Sequence, residues 1–186
     1  LKTIAVSFMK IANDLRLLYS GPRTGFYEID LPAIQPGSSI MPGKINPVIP
    51  EAVNMVAAKI IGNDATITIA GLNGNLELNV MMPVIAYTLL ESIEITANTS
   101  GVFAQKCVDG IKARSEACLN YAEETVALIT VLAPAIGYDN AAKVAKKSMV
   151  GGKSIREIVV EDGILSKEKV DEILNLKNIS KGGRIE

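Results

Sequence analysis

The chain has 186 residues, 48% of them apolar and 21% charged, enough for a substantial core and outside the disordered range. Its 19 basic residues offset 20 acidic ones, aromatic residues make up 4% and Trp is absent, which argues against a nucleic-acid surface built on a basic face and stacking rings. Two cysteines, Cys107 and Cys118, form no CxxC pair, and with no His in the chain few ligands remain for a metal.

The first periodic segment is Ile4, Phe8, Ile11, Leu15 and Leu18, a helical stripe with no N-cap ahead of Leu1, so the chain reads as truncated. A loop-forming stretch follows between Pro36 and Pro50. Val53, Val56, Ile60 and Ile61 then open a long helix, which the β-branched run Thr66 to Ile69 continues; Pro50 sets its regular start. Gly71 to Gly74 breaks the pattern. A second long helix is expected from near Leu76 past Phe103, with Pro83 in an early turn.

Gly110-Ile111 marks a boundary. Beyond it, shorter helices are expected over Ser115 to Val131, Asn140 to Val150, Ser154 to Glu161 and Ser166 to Leu174. Ser154 and Ser166 are suited to N-caps, Gly151 and Gly163 to stops, and the tail Lys181 to Arg184 to fraying. The expected fold is all-α: a long-helix bundle segment over 1–110, holding the loop 36–47, and a small C-terminal helical subdomain over 111–186. No secretory signal is seen, and no apolar run approaches the length of about 20 that a membrane span needs. The default location is cytoplasmic, with no membrane or nucleic-acid partner.

Residues 37–47 read GSSIMPGKINP. Gly37 and Gly43 permit backbone geometries that let successive N–H groups face one ligand, while Ser38, Ser39, Lys44 and Asn46 add side-chain donors; the combination suits a carboxylate or phosphate. A P-loop is excluded, because five residues separate Gly37 from Gly43 where that motif has four, and Ile45 follows Lys44 where Ser or Thr belongs. Gly152-Lys153-Ser154 fails as well: Lys147 stands where the opening glycine would be. Taken singly, the serines suit a turn, Lys44 a solvated charge, and Asn46 a helix cap.

Together and in this order, the loop resembles the signature segment of the fumarase/aspartase superfamily, GSSxMPxKxNP. KIANDLRLLYSGPRTG (residues 10–25), IIGNDATITIAGLNGNLELNV (60–80) and IGYDNAAKVAKK (136–147) resemble the same family, so the likeness covers essentially the whole chain. Pro22 to Gly25, Leu31 to Ala33 and Val48 to Glu51 lean toward the branch acting on L-aspartate. Met82, Gly74-Asn75 and Gly137 to Asp139 depart from that branch, and the last two look fumarase-like, so a class II fumarase acting on L-malate stays open.

The resemblance implies a C-terminal portion of a longer enzyme. It implies further that Ser38 is the base removing a proton from the substrate, that Lys44 and Asn46 bind its carboxylate, and that Ser39 and Glu51 support them. Glu51 pairs in the family with an upstream histidine. A serine hydroxyl is a weaker acid than a phenol of about 10. Lys44 at about 4 Å and an effective dielectric near 20 contributes about 4 kcal/mol, roughly three pKa units, so backbone donors and water exclusion on loop closure must add more. The family is cofactor-free in its chemistry and homotetrameric, with small dicarboxylate sites shared between subunits. Arg23 is a candidate to orient the loop by ion pairing. Without the family's histidine, the isolated chain reads as an inactive helical assembly domain.

Overall fold

A computed structural model describes residues 1–35, 37 and 40–182. It is all-α, with two compact units, Leu1–Arg114 and Ser115–Glu186.

The first unit is built on α1 (Lys2–Leu18), α2 (Val48–Leu72) and α3 (Met82–Lys106), with α2 packed against both neighbours. Ala12, Val53, Phe103 and Cys107 form one buried cluster, joined by Phe8, Leu15, Leu31 and Ile49. The Phe8 and Phe103 rings meet edge to face at 6.0 Å, a geometry that aligns the positive edge of one ring with the negative face of the other. Burial pushes the Cys107 thiol above its ordinary pKa, because the thiolate loses hydration there. A second cluster joins Ala5, Ala57 and Ile60; the alanines let α1 and α2 approach closely.

α2 runs unbroken through Thr66 to Ile69 and ends at Leu72. Contrary to the sequence reading, it is long and apolar enough, by length and composition alone, to cross a membrane. Its apolar residues are interspersed with Ala, Gly and Thr, so no solid run meets the eye, and three charged residues, Glu51, Lys59 and Asp64, interrupt it. Lys59 Nζ lies 2.7 Å from Glu91 Oε2 of α3, and the buried Asn63 donates through Nδ2 to Glu91 Oε2 at 3.0 Å and Ser92 Oγ at 2.8 Å. The hydrogen bonds from Lys59 and Asn63 hold the Glu91 carboxyl below its ordinary pKa.

α3 begins at Met82, six residues later than the apolar pattern suggests. Asn75 and Leu78 bridge each other, Leu76 takes a left-handed φ of 50°, and Asn79 accepts from the Met81 N–H at 2.8 Å while donating to Ala70 O at 3.0 Å. Local side-chain bonds of this kind compete with helix, and Pro83 then takes an early position that needs no N–H.

The face of α3 turned to the interior is polar. Its buried positions are Thr88, Ser92, Thr96 and Phe103, and the Ser92, Thr96 and Ser100 hydroxyls donate to carbonyls four residues back at 2.5–2.7 Å. Those bonds occupy each hydroxyl hydrogen within α3 itself, and Ser92 Oγ in addition accepts from Asn63 of α2. Val84, Tyr87, Leu89, Leu90 and Ile93 face outward, with Leu90 65% exposed.

In the second unit, α4 (Ser115–Glu124) stops at Thr125, whose side chain accepts from the Ala127 N–H and caps a 3-10 turn, so the single helix expected over Ser115 to Val131 is broken. α5 (Ile129–Ile136), α6 (Tyr138–Gly151), α7 (Ile155–Glu161), α8 (Lys167–Ile173) and α9 (Leu176–Ile179) follow. Leu132, Val144, Ile155, Ile158, Val159 and Val170 are almost wholly buried in one cluster. Ser154 and Glu157 form a reciprocal capping box on α7, and Gly152 ends α6 in the left-handed region.

Candidate active site

The approach to the loop is tightly specified. Tyr27 has a φ of 49°, uncommon for a residue with a side chain; its N–H donates to Ser20 O at 2.8 Å, and the Glu28 N–H donates to Leu18 O at 2.9 Å. The next two residues form β1 (Ile29–Asp30), paired antiparallel with β2 (Lys112–Ala113). Arg114 completes the grip. Its Nη2 donates to Tyr27 Oη at 2.7 Å, its Nε to Asp30 Oδ1 at 3.2 Å, and its Cζ stands 3.7 Å from the Tyr27 ring centroid. Nearby, burial, then Tyr27 and Asp30, push the Tyr19 phenol above its ordinary pKa.

Leu31 then packs on the Ala12 and Phe103 cluster, and Pro32 lies so close to Gly110 that a Cβ there would stand 2.4 Å from Pro32 Cγ. Across the base of the loop, a Cβ on Gly37 would fall 1.2 Å from the Lys44 carbonyl oxygen. Only glycine permits that approach. Pro42 and Gly43, with φ of 80° at Gly43 and the Lys44 N–H donating to Met41 O at 3.2 Å, have the residue pattern of a type II turn.

The far end also has a defined turn. Pro47 has φ −77° and ψ 63°, and the Val48 N–H donates to Asn46 O at 2.9 Å, the geometry of an inverse γ-turn. α2 therefore starts at Val48 and not at Pro50. Pro50 sits in the first turn, where its missing N–H is one the helix leaves open anyway, and its ring is buried. No side chain caps this N-terminus, so Asn46 is not the cap. Among the described residues its carboxamide has no hydrogen-bond partner, and it stands beside a helix end carrying partial positive charge.

Lys44 is exposed, Asn46 is half-buried, and Glu51 is half-buried in the first turn of α2, its N–H donating to Pro47 O at 3.1 Å. The structure thus places Asn46 just ahead of α2 and Glu51 in its first turn, and puts the Lys44 backbone at the loop base against Gly37. Ser38 and Ser39 lie outside the described residues. Among the described residues Arg23 forms no ion pair; the arginine paired at the approach to the loop is Arg114, which the sequence does not single out. No local signal marks Arg114, because its partners lie more than 80 positions away. No group of three or more His, Cys, Asp or Glu able to hold a metal ion occurs among the described residues.

Comparison with known proteins gives a consistent likeness. Residues 1–62 match a family model described as Lyase, and residues 128–181 one described as Fumarase C C-terminus. The chain is 50% identical to an aspartate ammonia-lyase from Bacillus sp over 94% of its length and 37% of that protein's. It is 48% identical to the aspartate ammonia-lyase of Escherichia coli K12, over 96% of this chain and 37% of that one. Among solved structures, a fumarate lyase:delta crystallin from Brucella melitensis matches with a TM-score of 0.88 and 48% identity over 94% of this chain and 38% of its own. A class II fumarase from Schistosoma mansoni matches with a TM-score of 0.87 and 43% identity, over 93% of this chain and 36% of its own. The chain thus spans little more than a third of the length of these relatives.

Proposed function

Because this chain belongs to the fumarase/aspartase superfamily, we propose that it supplies the carboxylate-binding loop and the proton-abstracting serine of a lyase that reversibly converts L-aspartate to fumarate and ammonia. The reading takes the chain as the C-terminal portion of a cytoplasmic enzyme whose chemistry needs no metal or organic cofactor. The observation that carries it is the loop 37–47, closed at its base by Gly37 against the Lys44 backbone and leading into an uncapped helix N-terminus.

In the proposed reaction Ser38 takes a proton from the carbon beside one carboxylate. The electrons left behind delocalise onto that carboxylate, then form the C=C bond as the C–N bond breaks and its pair departs with ammonia. Lys44, Asn46 and the start of α2 stabilise the added negative charge; fixed donors aimed at charge that develops in the transition state are usually the largest catalytic term. Ser39 and Glu51 support this group.

L-Aspartate is favoured by the residues flanking the loop and by the aspartate ammonia-lyases that resemble the chain at 48–50% identity. A class II fumarase releasing water from L-malate is the second reading, supported by Gly74-Asn75, by Gly137 to Asp139 and by the similarity to the Schistosoma mansoni enzyme. The outward apolar face of α3 supports a homotetramer in which subunits share sites; a chain lacking the rest of the enzyme would be a helical assembly domain without turnover. The test is fumarate formation by the complete protein, offered L-aspartate and L-malate separately. Release of fumarate from L-aspartate supports the reading, release from L-malate alone moves it to fumarase, and none from either overturns both.

A further inference from the structure

We infer that Arg114 is a positioning residue for the substrate-binding loop, acting at a distance from the reacting atoms through Tyr27 and β1. The inference rests on the lyase reading for its kinetic consequence, though not for its geometry. Residues 27–30 deliver the chain to the loop, and Arg114 holds three of those four. Its guanidinium bonds Tyr27 Oη at 2.7 Å and Asp30 Oδ1 at 3.2 Å while lying 3.7 Å over the Tyr27 ring, and its backbone N–H donates to Glu28 O at 2.8 Å.

Tyr27 is the residue that needs holding. Its left-handed φ of 49° is costly for an aromatic side chain and persists only where the surroundings over-determine it. The Tyr27 N–H bond to Ser20 O and the adjoining Glu28 N–H bond to Leu18 O at the end of α1 fix one side, and the stacked, hydrogen-bonded guanidinium fixes the other. A planar fork performs both tasks at once, which an ammonium cannot. Downstream, Pro32 seats on Gly110 and Leu31 on the core, so the direction set at Tyr27 reaches Gly37, whose approach to Lys44 closes the loop. Losing the guanidinium frees Tyr27 to relax toward negative φ, which lowers the fraction of molecules with the loop closed on itself.

A smaller competent fraction weakens apparent substrate binding in proportion, while saturating substrate restores the closed state. In the complete protein, Arg114→Met should therefore raise KM by about tenfold with kcat within about twofold, and Arg114→Lys should fall between it and the unsubstituted protein. Hydrogen exchange gives a readout independent of turnover: amides of residues 40–47 should exchange about tenfold faster in Arg114→Met, with α1, α2 and α3 unchanged. Tyr27→Phe, which removes only the hydroxyl, should show a smaller change of the same kind and serves if Arg114→Met does not fold. A lower melting temperature with KM and loop exchange unchanged would overturn the inference, since a merely structural arginine behaves that way. Faster loop exchange in a protein that turns over neither substrate would uphold the positioning role and sink the lyase reading.

Discussion

Gly37 and Lys44 close the base of the loop: a single added methyl on Gly37 would overlap the Lys44 carbonyl oxygen at 1.2 Å. Backbone, not a flexible side chain, is what stands in the way, so the strands of the loop must part to admit it. Gly37→Ala should lower kcat/KM of the complete protein by about 100-fold, the order expected when binding groups are misplaced by about 1 Å. The three-helix core lies elsewhere, so circular dichroism and melting temperature should stay near the unsubstituted values. Activity unaffected by the methyl would mean that loop closure is not required.

The apolar face of α3 makes its own prediction. Leu90, Tyr87 and Ile93 point away from the interior while hydroxyl-bearing residues fill it, an arrangement that leaves an exposed patch unless a second copy covers it. Analytical ultracentrifugation of the complete protein should give a tetramer, and Tyr87→Glu with Leu90→Glu should shift it to smaller species. A clean monomer before substitution would contradict the assembly part of the proposal.

How much of this was readable beforehand depends on the range of the forces involved. The stripe from Ile4 to Leu18 and the Ser154 cap are local, and both stand in the structure as the sequence suggests. Spacing at Val84, Leu89 and Ile93 also identifies a helix. It does not say which face is buried; here Thr88, Ser92 and Thr96 are buried and the apolar side faces out, the Ser92 and Thr96 hydroxyls donating to carbonyls of the helix itself. The late start of α3 and the break at Thr125 came from side-chain bonds that outcompete helix over a few residues. In the candidate site, Gly37 and Gly43 are legible as conformational requirements, while the start of α2 at Val48 is not, because Pro50 suits a helix start as well as a later place in the first turn. Arg114 was invisible, its role depending on contacts that only the fold creates.

Acid should weaken the second unit through Glu157. The Ser154 backbone N–H, then its hydroxyl, hold the Glu157 carboxyl below the ordinary 4.5. A group depressed in the folded state stabilises fully above its unfolded value and loses that contribution as pH falls through the folded one. Glu157→Gln should therefore melt lower than the unsubstituted chain at pH 7, and the gap should close as pH falls below the ordinary carboxylate value. A gap independent of pH would show that charge plays no part in this cap.

The most direct measurement is the turnover of Ser38→Ala in the complete protein, with L-aspartate binding followed separately. A general base contributes about 10²- to 10⁴-fold, while Lys44 and Asn46, the proposed carboxylate ligands, are unchanged in this variant. The account predicts a loss of kcat in that range with substrate affinity close to that of the unsubstituted protein. Near-normal turnover without the Ser38 hydroxyl would contradict its assignment as the base.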